Sequence, residues 1–276
     1  MSLNRRILLA SPLILALAVA ADAQAKDPKE IVIGTSAGPY ADQVRLGIKP
    51  ILEKQGYKVR IVEFNDYIQP NFALAEGSLD ANVFQHVTYL DRFAAQHKLA
   101  LSELVKVPTA PIAIYSRRHK RLDAVKSGST VALPNDPTNQ ARALVMLDQL
   151  GWIKLRPGID PIRASERDVA ANPKGIKLLP LEAAQLPRSL QDADYAFVNG
   201  NYALASGLKL RDALRTEKIS PAYANLVAVR TPDRDKPFAR DLAAYKSRAF
   251  LDVTNKHFAD YAKTDYQLAL QSTGAK

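Results

Sequence analysis

The chain of 276 residues contains no cysteine. That absence excludes a disulfide framework, a thiolate metal site, a cysteine nucleophile and a thiol-anchored lipid. The sequence also lacks G-x-S-x-G, H-E-x-x-H, a P-loop and G-x-G-x-x-G, so it offers no nucleophile elbow, zincin helix or phosphate cradle. Its histidines, His86, His97, His119 and His257, stand at no short metal-ligand spacing. Carboxylates such as Asp66 and Asp80 lie near turns, where acids serve as caps. No catalytic residue, metal or cofactor is expected. Long hydrophobic runs are nearly missing as well. The exception, Ile7 to Ala21, has 15 uncharged residues, short of the roughly 20 that span a bilayer. Arg5 and Arg6 precede it, and the small-x-small pattern Ala21-Asp22-Ala23-Gln24-Ala25 follows. Residues 1–25 therefore read as a cleaved signal peptide.

What is present is a basic, globular composition: 38 Lys+Arg against 28 Asp+Glu, net +10, with 47% hydrophobic residues. The basic clusters, Arg117 to Arg121 and Arg230 to Lys236, are short and carry no stripe of stacking aromatics, so nucleic acid is not expected as a partner. Beyond the signal, short β-branched runs alternate with helical patterns, which indicates α/β architecture with mainly parallel strands. Strands are expected at Ile31–Gly34, Lys58–Phe64, Leu79–Phe84, Pro111–Ser116, Thr130–Leu133, Ile176–Leu179, Tyr195–Val198 and Asn225–Val229. Helices are expected over Tyr40–Gln55 (kinked at Pro50), Pro70–Glu76, Val87–His97 and from Asp136-Pro137 to Leu150, with Asp136 as N-cap. Lys236 to Gln271 reads as helical, and a long polar connection precedes Asn225. A weak echo links Asp80-Ala81-Asn82-Val83-Phe84 with Asp192-Ala193-Asp194-Tyr195-Ala196, as chance or a two-lobed protein would produce.

Three segments are richer in polar and aromatic groups than packing requires. They are Phe64-Asn65-Asp66-Tyr67 with Pro70-Asn71 and Asp80 to Asp91; Val131 to Arg142, containing Pro134-Asn135-Asp136-Pro137-Thr138-Asn139; and Leu181 to Leu190, continuing to Val198-Asn199-Gly200-Asn201-Tyr202. The motifs F-N-D-Y, D-A-N-x-F-Q-H-x-x-Y-L, P-N-D-P-T-N-x-x-R and E-A-x-Q-L-P-R-S-L occur here in order, and the chain from Ile31 onward resembles the MetQ or NlpA family, the methionine-binding lipoproteins of methionine ABC importers. The resemblance implies a type II-like periplasmic binding protein: two mixed or parallel sheets with flanking helices in two lobes joined by two crossing strands. The lobes are expected at residues 29–112 plus 228–276 and at 113–227.

It further implies capture of methionine in the cleft and delivery to an ABC transporter permease by a monomer, with no enzymatic activity. The alternatives on this scaffold are another ligand, such as a short peptide or sulfur compound, or a periplasmic enzyme. A zwitterion with a thioether needs a planar cation, acceptors for its ammonium and a dry polarizable pocket. Arg142, one helical turn beyond Asn139, suits the carboxylate. Tyr67, Phe84, His86 and Tyr89 would form the side-chain pocket, although aromatics at such spacing also suit a core. Asn199 and Asn225 would supply amides. The family carries a cysteine for lipid attachment where this chain has none, so a freely diffusing periplasmic protein without a lipobox is expected.

Overall fold

The computed structural model describes residues 27 and 29–273; the signal-peptide reading of residues 1–25 lies outside them. The described strands are β1 (Glu30–Ser36), β2 (Lys58–Phe64), β3 (Ala81–His86), β4 (Leu101–Lys106), β5 (Ala113–Tyr115), β6 (Thr130–Pro134), β7 (Lys154–Leu155), β8 (Val169–Ala171), β9 (Lys177–Leu181), β10 (Tyr195–Val198), β11 (Arg215–Thr216) and β12 (Asn225–Arg230). They form two five-stranded sheets, β2-β1-β3-β12-β4 and β11-β5-β10-β6-β9, and a small β7-β8 ribbon. Within the first sheet β1 runs parallel to β2 and β3, while β12 returns antiparallel between β3 and β4. The second is likewise mixed: β6 is parallel to β9 and β10, and β5 is antiparallel to β10 and β11.

The central strands are buried along nearly their whole length because helices cover both faces of each sheet. Ile31, Val32 and Ile33 of β1 and all four residues of β10 are buried. Ile31, Ile33, Val83 and Val227 pack with Tyr245 and Phe250 in the first lobe; Ile114, Val131 and Leu133 pack with Leu144, Leu147, Trp152 and Phe197 in the second. The echo between the halves has a structural counterpart. Asp80 precedes β3 and accepts the Val32 amide of β1 at 2.7 Å; Asp194 precedes β10 and accepts the Thr130 amide of β6 at 2.8 Å. Each acid thus ties the start of its strand to a parallel neighbour.

Several expectations are corrected. The helix expected over Tyr40–Gln55 is α-helical at Pro39–Gln43, widens to a π-turn at Val44–Ile48, and resumes at Lys49–Lys54. Proline cannot donate a backbone hydrogen bond, and a π-turn just before it absorbs the broken ladder. Strand β4 was not expected; only Leu101 and Val105 of Leu101–Lys106 are buried, so no clean alternation marks it. The C-terminal pattern is not one helix. It divides into Pro237–Asp241, a 3₁₀ segment Leu242–Lys246, Arg248–His257 and Asp265–Thr273. Ser247 restarts the helix by accepting the Phe250 amide, and Thr109 forms a bridge with Ala262 in the gap before the last helix.

The crossing segments lie outside the strands. Residues 107–112 lead from β4 to β5, and 217–224 lead from β11 to β12. They run side by side, the Val107 amide donating to Asn225 O (2.8 Å) and the Glu217 amide to Ile112 O (3.0 Å). Where they meet the helix Gly200–Ala205, the backbones approach closely. A Cβ at Gly200 would stand 2.5 Å from Ala110 Cβ and 2.6 Å from Pro111 O. Neither atom can swing aside. Gly200→Ala is therefore expected to lower stability by about 1–3 kcal/mol through overpacking, more than alanine's helix propensity of about 1 kcal/mol over glycine returns. Urea unfolding of the two proteins measures the difference.

Candidate functional site

Chain direction gathers the polar residues at one end of both sheets. Strand β3 ends at His86, whose ring caps the following helix, Nδ1 accepting the Tyr89 amide at 3.1 Å. Asn225 pairs with His86 across the β3–β12 ladder, and its Nδ2 donates to Phe84 O at 3.0 Å. In the second lobe, Asp136 caps the helix Pro137–Gln149 as expected, accepting the Asn139 amide at 3.0 Å. Strand β10 delivers Asn199 just before Gly200–Ala205.

These elements enclose a cavity of about 20 Å³ lined by Tyr67, Phe84, Tyr89, Asn139, Arg142, Asn199 and Asn225, with Tyr40, Gln85 and Asn201 among its other walls. His86 stands behind that wall, its Nε2 3.4 Å from Asn139 Oδ1. All eight residues expected from the sequence therefore come together. The space is that of about one water molecule, so the walls must part for any larger ligand. Tyr67 and Tyr89 separate it from an outer chamber of about 270 Å³ that also reaches Arg92, Asp136 and Glu182.

Asn139 organises the polar wall. Its Nδ2 donates to both oxygens of Asp136, while Oδ1 accepts from Arg142 Nη1 (2.7 Å) and Asn199 Nδ2 (2.9 Å) and faces His86. Since Nδ1 of His86 is an acceptor, the neutral ring carries its proton on Nε2 and donates toward Asn139. Asn199 Oδ1 is buried without a hydrogen-bond partner among the described residues. The amides of Asn71, Asn82 and Gln85, prominent in the sequence motifs, instead bond to one another at 2.7–2.9 Å. They brace the helix Gln69–Ala75 against β3, with Asn82 also donating to Pro70 O at 3.1 Å.

Sequence reasoning missed two residues. Glu217 forms a buried ion pair with Arg142, Nε donating to Oε2 at 3.1 Å and Nη2 to Oε1. Tyr223 lies under the guanidinium, 5.0 Å from ring centre to Cζ, and edge-on to His86 at 5.2 Å. Both occur in what reads as a featureless polar connection. Asn201 and Tyr202 belong to a segment the sequence did single out, and they clasp the opposite lobe: Tyr67 donates to Asn201 Oδ1 (2.7 Å), Asn201 Nδ2 to Ser36 Oγ (3.1 Å), and Tyr202 to Asn65 O (3.1 Å).

Burial, and then the nearby Arg142 charge, hold the His86 pKa well below its ordinary value. For Arg142, burial opposes the charge, but Glu217 outweighs it and the pKa is raised. Burial raises Tyr223 to about 12, so its ring remains neutral. Burial also raises Asp136, against the pull of its bonds to Asn139 and Thr138.

The His86 shift has a stability consequence. Below about pH 6.5 the unfolded chain takes up a proton that the native ring refuses, so stability present above that pH is lost as pH falls, by at most about 1.4 kcal/mol per unit for this one group. Urea unfolding between pH 7.5 and 5.5 is expected to show a steeper loss for the wild type than for His86→Gln.

Compared with known families, residues 31–269 match the NlpA lipoprotein family. The D-methionine-binding lipoprotein MetQ of Salmonella typhi is 40% identical over 237 residues, covering 84% of this chain and 87% of that protein. A nutrient-binding protein from Burkholderia cenocepacia, solved bound to methionine, is 42% identical with a TM-score of 0.79, covering 83% of this chain and 97% of its own. The crystal structure of the methionine-binding protein MetQ aligns with a TM-score of 0.81 at 38% identity, over 86% and 99% of the two chains. These likenesses bear out the family and the two-lobed fold. They correct the location expected from the missing cysteine: a lipoprotein family and a relative named a lipoprotein stand against an unanchored, lipobox-free protein, while export to the periplasm agrees with both. With its motifs, its two sheets and its long match in hand, the chain belongs to the NlpA lipoprotein family.

Proposed function

We propose that this protein captures methionine between its lobes and hands it to the permease of an ABC importer, acting as a monomeric binding protein and not as an enzyme. The observation that carries the reading is the wall shared by Arg142 and Asn199. Of the five N–H donors of a guanidinium, Glu217 and Asn139 engage three of those on Arg142, which among the described residues leaves one on each Nη. The unpartnered acceptor Asn199 Oδ1 belongs to the same cavity wall. A carboxylate on the paired Nη donors and an ammonium on Asn199 match the two ends of a free amino acid. Tyr67, Phe84 and Tyr89, with ring centres 5.7–6.1 Å apart, would receive the thioether chain, with His86 and Asn225 closing the pocket.

The expected lobes, 29–112 plus 228–276 and 113–227, would turn on the crossing segments, with the second boundary moved to the start of β12 because Asn225–Arg230 pairs with β3 and β4 of the first sheet. The small cavity and the bonds from Tyr67 and Tyr202 across the cleft support an opening step before binding. Native electrospray mass spectrometry of freshly purified protein, followed by calorimetry with L- and D-methionine, tests the function. A retained mass of methionine or saturable heat with either enantiomer is expected. No retained ligand and no heat with either would overturn it.

A further inference from the structure

The geometry points to Glu217 as a specificity-determining residue that makes the ligand's ammonium group obligatory. The inference deepens the reading of a methionine site and rests on it. Glu217 is held on the hinge: its backbone amide donates to Ile112 O, and its Oε1 accepts the Ile112 amide at 3.1 Å. From there its carboxylate occupies the Nε–Nη2 edge of Arg142, with both side chains almost wholly buried, at 8% and 4% exposure. Asn139 takes one hydrogen of Nη1, and Tyr223 covers one face of the guanidinium. Arg142 thus meets the ligand already oriented and already neutralised.

Charge balance then decides which carboxylates the cavity accepts. The nearby titratable groups are Arg142, Glu217, Asp136 and His86, with the phenols of Tyr40, Tyr67, Tyr89 and Tyr223; the ring of His86 and the phenols are uncharged. A ligand carrying only a carboxylate would add an uncompensated negative charge beside Glu217 and Asp136 in a space cut off from water, where like charges are strongly disfavoured. A zwitterion brings its own cation, which Asn199 Oδ1 can accept. Were Glu217 absent, Arg142 alone would suffice for any carboxylate of the right shape, and the amino group would lose much of its value. Glu217 is therefore a positioning residue for Arg142 and, through its charge, a filter for zwitterions.

The test compares methionine with 4-(methylthio)butanoate, the same molecule without its amino group, on wild type, Glu217→Gln and Glu217→Asp. Calorimetry gives the ratio of their dissociation constants. Glu217→Gln keeps the shape and removes the charge, so the preference for methionine is expected to fall at least about tenfold, while Glu217→Asp keeps it within about threefold. A purely structural role would weaken both ligands equally and leave the ratio unchanged, and that result would overturn the proposal. Should Glu217→Gln not fold, wild type in buffers of differing ionisation enthalpy decides: uptake of about one proton with the des-amino ligand and none with methionine supports it, and no uptake with either refutes it. Failure of wild type to bind methionine would be a failure of the functional reading; a folded variant with an unchanged ratio would be a failure of the Glu217 assignment alone.

Discussion

Arg142→Ala is expected to damage both stability and binding, and a second substitution separates the two. Removing the guanidinium leaves the Glu217 carboxylate buried without its partner and takes one donor from Asn139 Oδ1. Breaking a buried pair in this way costs about 3–5 kcal/mol. Arg142→Ala with Glu217→Gln removes the stranded charge, so thermal unfolding should show much of that loss recovered. Methionine affinity should not recover. Loss of the carboxylate's partner costs about 2–5 kcal/mol, roughly 30-fold to several thousand-fold in dissociation constant. Methionine amide, which lacks the carboxylate charge, should bind wild type weakly and lose little more in the variant. Calorimetric titration of both ligands closes the cycle; equal losses for acid and amide would remove Arg142 from the carboxylate site. Tyr89→Phe gives the contrast, since its hydroxyl makes one ordinary bond, to Tyr67 O at 3.0 Å, and should cost about 0.5–1.5 kcal/mol.

Asn139→Leu is expected to have the second large effect, although no charge is removed. The substitution keeps approximate size but deprives Arg142 Nη1, Asn199 Nδ2 and the His86 ring of their common acceptor, and removes two bonds to Asp136. Each buried group left unsatisfied costs about 1–3 kcal/mol, and groups in one network do not add. A total loss of about 2–4 kcal/mol in urea unfolding is expected. Methionine affinity should fall about a hundredfold or more, because Asn199 and Arg142 lose the contact that aims both at the ligand. A variant that unfolds like wild type and binds methionine normally would show that the Asn139 bridge has no part in the site.

Legibility in the sequence follows the range of the interactions. Val87–His97 and Tyr195–Val198 were readable to the residue, and Asp136 was readable as a cap, because these depend on neighbours within one or two turns. Asn82 and Gln85 stood out with the site motifs but form a brace with Asn71, a distinction invisible in a string of residues. Glu217 and Tyr223 were not legible at all: each lies in a connection without periodicity, and each acts on a residue far away in the chain.

The sequence by itself determined the α/β alternation, the strand ends that present polar groups, and the inventory of cation, amides and aromatics, since hydrophobic period and capping are encoded locally. Tertiary structure alone decided how that inventory is used. It set Glu217 against Arg142 across 75 residues of chain and brought His86 to Asn139 from the opposite lobe. It also left Asn199, a residue of the cavity wall, with no partner for its Oδ1 among the described residues. The strength of a charge pair, or the cost of an unpaired amide, depends on distance in space and on exclusion of water, and neither exists until the two sheets have packed and the crossing segments have brought their ends together.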